Sequence, residues 1–356
     1  MTMNPLNQLT EPLLAWYRAA ARPLPWRESP DAYRVWVSEI MLQQTRVAAV
    51  LGYYTRFLTE FPNVEALAAA DEGRLMKLWE GLGYYSRARN LQKTARIVTE
   101  QYGGRFPETY GELTALPGIG DYTAGAILSI AFGQRAPAVD GNVLRVVSRI
   151  TDCHQDILSP GVKKAVRRQV EAMMPESEAD IRIFNQAAME LGATVCVPNG
   201  PPKCQGCPAV SFCLGRMRGT AELLPVKAPK KRRRIEDKTV LIFLSREGTA
   251  LRRRPDTGLL AGLWEFPNVE GTLDEAEAAA LAAEWGLEVA QWDQRLTAKH
   301  IFTHVEWHMT GYVLHVRGRD SQCFVWAGPQ SLKELAVPSA FSRFLEEARA
   351  ALERES

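Results

Sequence analysis

Leu116-Pro117-Gly118-Ile119-Gly120, continued by Asp121-Tyr122-Thr123, lies between two runs whose apolar residues recur at three- and four-residue steps. Such steps are the period of helices packed on a core. Two glycines one residue apart let the backbone turn tightly, so residues 110–133 read as a helix–hairpin–helix. Gly118 and Gly120 would aim amide N–H groups outward at a helix start, which suits a phosphate, though an ordinary helix–helix turn uses the same residues.

Outward from the hairpin, helical spacing holds up to about residue 220. Tyr33–Leu42 is one such run; Asn63 and Asp71 read as N-caps, and Gly81 and Gly103 as stops. Helices are expected through Tyr122–Gly133, Asp140–Asp152, Lys163–Met174 and Asp180–Ala193. In Val139-Asp140-Gly141-Asn142-Val143, about twenty residues past the hairpin, Asp140 opens a helix and suits either an N-cap or a catalyst. Pro225–Arg234 is a proline-spaced basic stretch that reads as an extended linker. After it the period becomes two. Thr239–Leu244 and Ala250–Arg252 read as a hairpin turning at Glu247-Gly248, His304–Val316 as strand, and Leu273–Trp285 and Ser339–Glu353 as helices. The fold class is therefore mainly α in the N-terminal region and α+β in the C-terminal domain.

The chain has 356 residues, 46% hydrophobic and 24% charged, enough for two or three domains with real cores. No apolar run approaches the roughly 20 residues of a membrane helix, and no charged-then-apolar leader opens the chain. The expectation is a cytoplasmic protein without a membrane partner. The net charge of +2 is uneven: residues 1–226 hold 24 Lys+Arg against 22 Asp+Glu, residues 227–234 hold six bases and no acid, and residues 235–356 hold 13 against 19.

Four of the six cysteines, Cys196, Cys204, Cys207 and Cys213, fall within 18 residues, whereas Cys153 and Cys323 stand alone. Without a secretory signal, such packing argues for metal ligation rather than disulfides. Four thiolates on a proline-rich loop suit structural zinc or an iron–sulfur cluster. One close pair with an outlying cysteine on either side favours a [4Fe-4S] cluster.

The Leu-Pro-Gly-Ile-Gly hairpin, the later Asp140 and the four-cysteine loop together resemble the helix–hairpin–helix DNA glycosylase superfamily. Ser38-Glu39-Ile40-Met41-Leu42-Gln43-Gln44-Thr45, Gly81-Leu82-Gly83-Tyr84-Tyr85-Ser86-Arg87-Ala88-Arg89 and Val139–Val143 look like the MutY-type adenine DNA glycosylases. The resemblance runs from about Pro25 to Cys213 and resumes in the C-terminal domain. It implies a helical catalytic region over 1–220, with a six-helix lobe at about 25–135 and a cluster lobe of 1–24 plus 136–220. A basic linker at 221–236 and a Nudix-like domain at 237–356 would follow. It further implies a monomeric, nucleoid-associated bacterial enzyme that removes adenine mispaired with 8-oxoguanine or guanine from duplex DNA. Such chemistry needs an acid for the leaving base and a negative charge beneath the sugar cation. By the resemblance, Glu39 is that acid, with its pKa raised by apolar neighbours, and Asp140 is the ionised carboxylate. Tyr122 stands where strand-cutting members carry a lysine, which implies a monofunctional enzyme, with Tyr122 and Asn142 positioning the sugar and Asp140. Gln44, Thr45, Leu82 and Tyr84 match residues at the lesion, and Phe302-Thr303-His304 matches a Phe-Ser-His loop that contacts the oxidised guanine.

This sequence departs from the family pattern in three places. Seven residues separate Cys196 from Cys204 where six are usual, Val197–Lys203 carries a single base, and threonine replaces serine at 303. Gly258–Pro267 looks like the stretch before the catalytic box of Nudix hydrolases, but Leu273–Trp285 lacks that box's magnesium-binding acid spacing. Three rival functions follow from the same features: an endonuclease III-like glycosylase/lyase on oxidised pyrimidines, disfavoured by Tyr122; a nucleotide pyrophosphatase, disfavoured by the missing box; and a noncatalytic iron–sulfur DNA-binding module, which has no need of Glu39 and Asp140 together.

Overall fold

The computed structural model describes residues 4–229, 232–317 and 324–354, so Lys230 and Lys231 of the basic run and the lone Cys323 lie outside the described residues. The chain divides into two units: Met1–Ala69 with Arg89–Pro229, and Ala70–Ala88 with Lys230–Ser356. The second unit thus includes a stretch of the region expected to be wholly catalytic.

The first unit is helical: α1 (Thr10–Ala20), α2 (Ala32–Leu42), α3 (Val47–Glu60), α4 (Ser86–Tyr102, in this unit from Arg89), α5 (Tyr110–Ala115), α6 (Asp121–Ala126), α7 (Gly141–Thr151), α8 (Pro160–Met173) and α9 (Glu178–Thr194). Short polar residues start several of these helices by accepting orphan amide hydrogens. Asp31 accepts from Arg34 N at 2.7 Å, and Asn63 accepts from Ala66 N at 2.9 Å. Between α5 and α6 the chain turns at Gly118, whose φ of +79° is natural only for glycine; a Cβ there would lie 2.8 Å from that of Asn90. Thr94 Oγ1 donates to Pro117 O at 2.8 Å and pins the turn to α4.

The helix expected over Tyr122–Gly133 is not uniform: α6 gives way to a widened π turn at Ile127–Ala131. Ser129 Oγ donates back to Gly125 O at 2.7 Å and accepts from Asn185 Nδ2 at 2.7 Å, so a side chain intrudes on the helical ladder. A core below α7 and α9 joins Leu6, Leu13 and Tyr17 to Val147, Val166, Phe184 and Leu191, with Cys213 among its buried members. Roughly 25 cal/mol per Å² of apolar surface removed from water favours this union of stretches distant in sequence.

The second unit is a mixed sheet: β1 (Arg234–Ser245), β2 (Gly248–Arg253), β3 (Trp264–Glu265), β4 (Asn268–Glu270), β5 (Glu288–Ile301), β6 (Val305–Arg317) and β7 (Val325–Ala327). The order is β3-β2-β1-β6-β5, with β4 against β1 and β7 against β2. The expected hairpin forms with Ser245 opposite Gly248. β1 and β6 pair in parallel over Arg234–Leu244 and Val305–His315. β1 therefore begins at Arg234, inside the stretch read as linker. Helix α10 (Glu275–Glu284) covers one face through Ala278 and Ala282, and α11 (Ser342–Arg354) covers the other through Phe344, Leu345 and Ala348. The short helix Glu72–Trp79 belongs to this unit. Lys77 Nζ donates to Leu335 O at 3.0 Å, Val337 N donates to Glu80 Oε1 at 2.9 Å, and Lys77 pairs with Glu80 at 2.6 Å.

Candidate active site

A cleft of about 880 Å³ opens in the helical unit, and Glu39, Gln44, Thr45, Tyr122, Asp140 and Asn142 all border it. Six candidates scattered over a hundred residues of sequence thus meet at one place. Gly118 and Gly120 do not border the cleft; they remain on their own hairpin between α5 and α6.

Glu39 sits on α2 between Trp36 and Ile40, both buried, and is itself only 6% exposed. Tyr122, the second residue of α6, donates its hydroxyl hydrogen to Glu39 Oε2 and also reaches Met189 Sδ at 3.0 Å. Burial, helped by the Asp140 charge and opposed by the Tyr122 hydrogen bond and Arg27, pushes the Glu39 carboxyl up to about 7. A group held there is partly protonated at neutral pH, as a general acid must be. Burial, together with Glu39 and Asp140, pushes the Tyr122 phenol well above its ordinary value, so Tyr122 keeps its hydrogen.

Asp140 is the N-cap of α7: its Oδ1 accepts from Asn142 N at 2.9 Å and Val143 N at 2.8 Å, and its Oδ2 accepts from Asn142 Nδ2 at 2.6 Å. The cap and the catalyst, left as alternatives by the sequence, are compatible in this geometry. Burial raises its pKa, while Val143, Asn142 and Arg145 pull the other way. The partners themselves decide which form fits. All three bonds come from N–H donors at a helix N-terminus, which match a carboxylate and leave a carboxylic acid little to donate to. Glu39, by contrast, faces a hydroxyl that serves either protonation state.

Several residues that sequence reasoning missed complete the site. Arg22 and Arg27 hold Glu190 Oε1 and Oε2 at 2.6 and 2.8 Å, and all three border the cleft with Gln186. Burial favours a protonated Glu190, but the two arginines hold it below its ordinary value. Buried Asn185 donates from Nδ2 to Ala136 O at 2.8 Å and accepts at Oδ1 from Ala138 N at 3.1 Å, fixing the segment that delivers Asp140. Arg145, one turn into α7, donates to Asn142 Oδ1, Gly192 O and Cys196 O, each at 2.8 Å. Three arginines in a region of nearly balanced charge carry no local motif; the available signal was Arg145 and Arg149 set among the apolar residues of α7.

The four clustered cysteines border one apolar cavity with Val146, Ile150 and Leu191, and none forms a disulfide. Arg149 Nη1 donates to Cys196 Sγ at 3.3 Å. Burial and the neighbouring thiols push Cys207 up to about 11, so a cation in their midst would favour ionisation of the set. Among the described residues no group of three or more His, Cys, Asp or Glu converges on a single-ion position. Four thiols around one shared cavity are a donor set that can hold a metal group. Of the basic residues beside this loop, Arg218 is paired with Asp152 at 2.8 Å, and Arg216 donates to Val210 O at 3.1 Å.

In the second unit, Tyr84 is 45% exposed at the tip of a loop and its hydroxyl lies 3.0 Å from Thr303 Oγ1. Leu82 is buried at 7% exposure and packs rather than projects. Gln44 and Tyr84 both hold left-handed backbones, with φ of +57° and +47°. Non-glycine residues rarely adopt that conformation, which concentrates at binding and catalytic positions. Phe302 stacks edge-on against Trp307 at 4.8 Å, and His304 O accepts from Arg234 N at 3.2 Å. His308 lies against Glu306 at 2.8 Å. In α10, Asp274 and Glu277 form a capping box.

A family model described as HhH-GPD superfamily base excision DNA repair protein matches residues 37–173, and one described as NUDIX domain matches residues 239–347. A Homo sapiens protein named adenine DNA glycosylase is 36% identical over 402 residues, spanning 93% of this chain and 72% of that one. Its namesake from Mus musculus is 39% identical, spanning 83% and 68%, and that from Buchnera aphidicola (subsp. Baizongia pistaciae) is 37% identical, spanning 72% of each. Among solved structures, a thermostable thymine-DNA glycosylase superposes with a TM-score of 0.53 at 28% identity, over 60% of this chain and 97% of its own. A trapped endonuclease III–DNA intermediate shares the helical fold, with a TM-score of 0.51 at 23% identity over 62% and 99% of the two chains.

Proposed function

This chain belongs to the adenine DNA glycosylase family, and from that membership we propose that it excises adenine by paired carboxylate chemistry in the cleft between α2, α6 and α7. It is a DNA glycosylase, a hydrolase of base excision repair that removes adenine from DNA. The observation that carries the residue assignment is the pair of carboxylates, Glu39 buried and Asp140 half-buried, with contrasting hydrogen-bond partners.

Adenine flipped into the cleft accepts the proton of Glu39 at N7, and the C1′–N9 bond breaks with its electrons passing to the purine. The sugar cation that remains faces ionised Asp140, held by the α7 amides. Water adds at C1′ and returns its proton to Glu39. This is the division of labour of a glycoside hydrolase, one carboxyl acidic and one charged. Tyr122 orients Glu39, and Asn142 orients Asp140. The proposed substrate is adenine opposite 8-oxoguanine or guanine in duplex DNA, approached by a monomer. The proposed contacts are Gln44, Thr45 and Tyr84 near the lesion, with buried Leu82 supporting the loop that carries Tyr84 instead of touching DNA, the Gly118 and Gly120 amides on phosphate, and Phe302, Thr303 and His304 on the oxidised base. Cytoplasmic, nucleoid-associated action and a helical region ending near residue 220 belong to the same proposal, with the C-terminal domain starting at Arg234 instead of after 236.

Cys196, Cys204, Cys207 and Cys213 would hold a [4Fe-4S] cluster, which when bound would cross-link their loop to the α7–α9 core. Arg145 then joins that loop to Asn142 and so to Asp140. Arg145→Gln is expected to lower excision by about ten- to a hundredfold, as loss of an outer support does. Iron content measured on the same preparation separates a lost cluster from a misplaced Asn142; unchanged excision rules out the linkage.

Excision on duplexes bearing A:8-oxoG, A:G or thymine glycol, with and without alkali and beside 8-oxo-dGTP hydrolysis, tests the whole assignment. Excision from A:8-oxoG and A:G with strand cleavage only after alkali is the expected pattern. Because Tyr122 offers no amine, borohydride should trap almost no protein–DNA adduct; efficient trapping would refute a monofunctional mechanism.

A further inference from the structure

We propose that Trp307 is a positioning residue for the Phe302-Thr303-His304 loop and thereby sets discrimination for the base opposite adenine; the inference rests on the proposed role of that loop. Trp307 lies on β6 directly between Glu236 of β1 and His300 of β5. It is 2% exposed, yet its polar surroundings differ from those of an ordinary core tryptophan. The indole Nε1 donates to Glu236 Oε2 at 2.8 Å, and two cations face its ring, Lys238 at 4.8 Å and Arg254 at 5.7 Å. Lys238 is itself buried, and Arg254 is tied to buried Glu265. Cation–π contacts strengthen when the cation is desolvated, so the ring is held from its face and from its N–H at once.

What the fixed ring holds is the loop. Phe302 meets Trp307 at 4.8 Å and 70°, and His300 meets Phe302 at 4.5 Å and 62°, both edge-to-face. Phe302 N donates to Val305 O at 2.8 Å, closing a tight turn whose projecting residues are Thr303 and His304, both exposed. Phe302 is thus the anchored end of a three-residue turn, and a change in its seat moves the adjacent Thr303 Oγ1. An edge-to-face pair is worth about 0.5–1.5 kcal/mol, roughly a two- to twelvefold effect on a binding ratio.

The test uses the full chain and compares single-turnover excision and Kd on A:8-oxoG and A:G duplexes. Trp307→Leu should lower the A:8-oxoG preference by about three- to tenfold with A:G excision unchanged, and Trp307→Phe should restore part of it. Glu236→Gln, which weakens the N–H anchor and removes the charge that faces Arg234 and Lys238, should move the ratio the same way by less, and it serves if Trp307→Leu fails to fold. Thr303→Ala is the control for the loop itself. A lowered ratio in Thr303→Ala with an unchanged ratio in folded Trp307 and Glu236 variants overturns the anchor and leaves the loop's role standing. An unchanged ratio in all of them overturns the loop's role, and the anchor falls with it. An equal loss on both duplexes also overturns the proposal, because it marks a general structural defect.

Discussion

Glu39→Gln is expected to reduce single-turnover adenine excision by about a thousandfold, within the 10²–10⁴ range of a lost general acid, while DNA affinity stays within a few-fold of wild type. The amide preserves the side chain's shape and can still accept from Tyr122, so the cleft keeps its form. It cannot donate a proton to N7 and then recover one from water. The pH profile carries the same signature. With Glu39 held near 7 by burial, wild-type excision should fall as pH rises through about 7, and the variant's residual rate should lack that limb. Stability moves too. Glu39 binds its proton more tightly in the folded chain than at its ordinary value of 4.5, so its contribution is fully present below about pH 4.5 and lost as pH rises through about 7. Glu39→Gln should accordingly melt higher than wild type at pH 8, with the gap closing in acid. Near-wild-type excision, or a melting gap that widens in acid, would contradict the assignment.

Asp140→Asn should cost about 10²–10³ in excision, the loss typical of removing one electrostatic stabiliser, again with binding retained. The substitution is a demanding control because asparagine caps helices as well as aspartate does. Its side-chain oxygen can still accept from Asn142 N and Val143 N, so α7 should start where it does now. Only the negative charge beneath the sugar is removed, and Asn142 Nδ2 must turn away from an amide instead of bonding a carboxylate. Unchanged circular dichroism with lost excision is the expected pair of results. Full excision would mean that the sugar cation is stabilised elsewhere in the cleft, with Asp140 a cap alone.

The candidate site and its hairpin were legible because their parts carry local signatures. The Gly118 turn needs a positive φ, the cysteines are dense, and Glu39 is a single acid in an apolar helix. The Arg22–Arg27–Glu190 wall was not legible, since its partners are more than 160 residues apart and each alone resembles a surface charge. β5 escaped for another reason. It lies at the end of the strand order and is exposed along most of its length, so it lacks the alternation that marks a half-buried strand. The parallel match of β1 with β6 is likewise a non-local pairing that no turn residue announces.

The membership of Ala70–Ala88 in the second unit has a temporal consequence. The partner of Glu80 lies 257 residues further along the chain. At about 5–20 residues per second, a ribosome needs roughly 10–50 s to make that length. Through that interval Lys77 and Glu80 can pair with each other but not with Leu335 and Val337, and those two contacts, once made, close loops of 258 and 257 residues. The second unit therefore cannot be completed from its C-terminal sequence alone: it must capture a segment that emerged from the ribosome well before it.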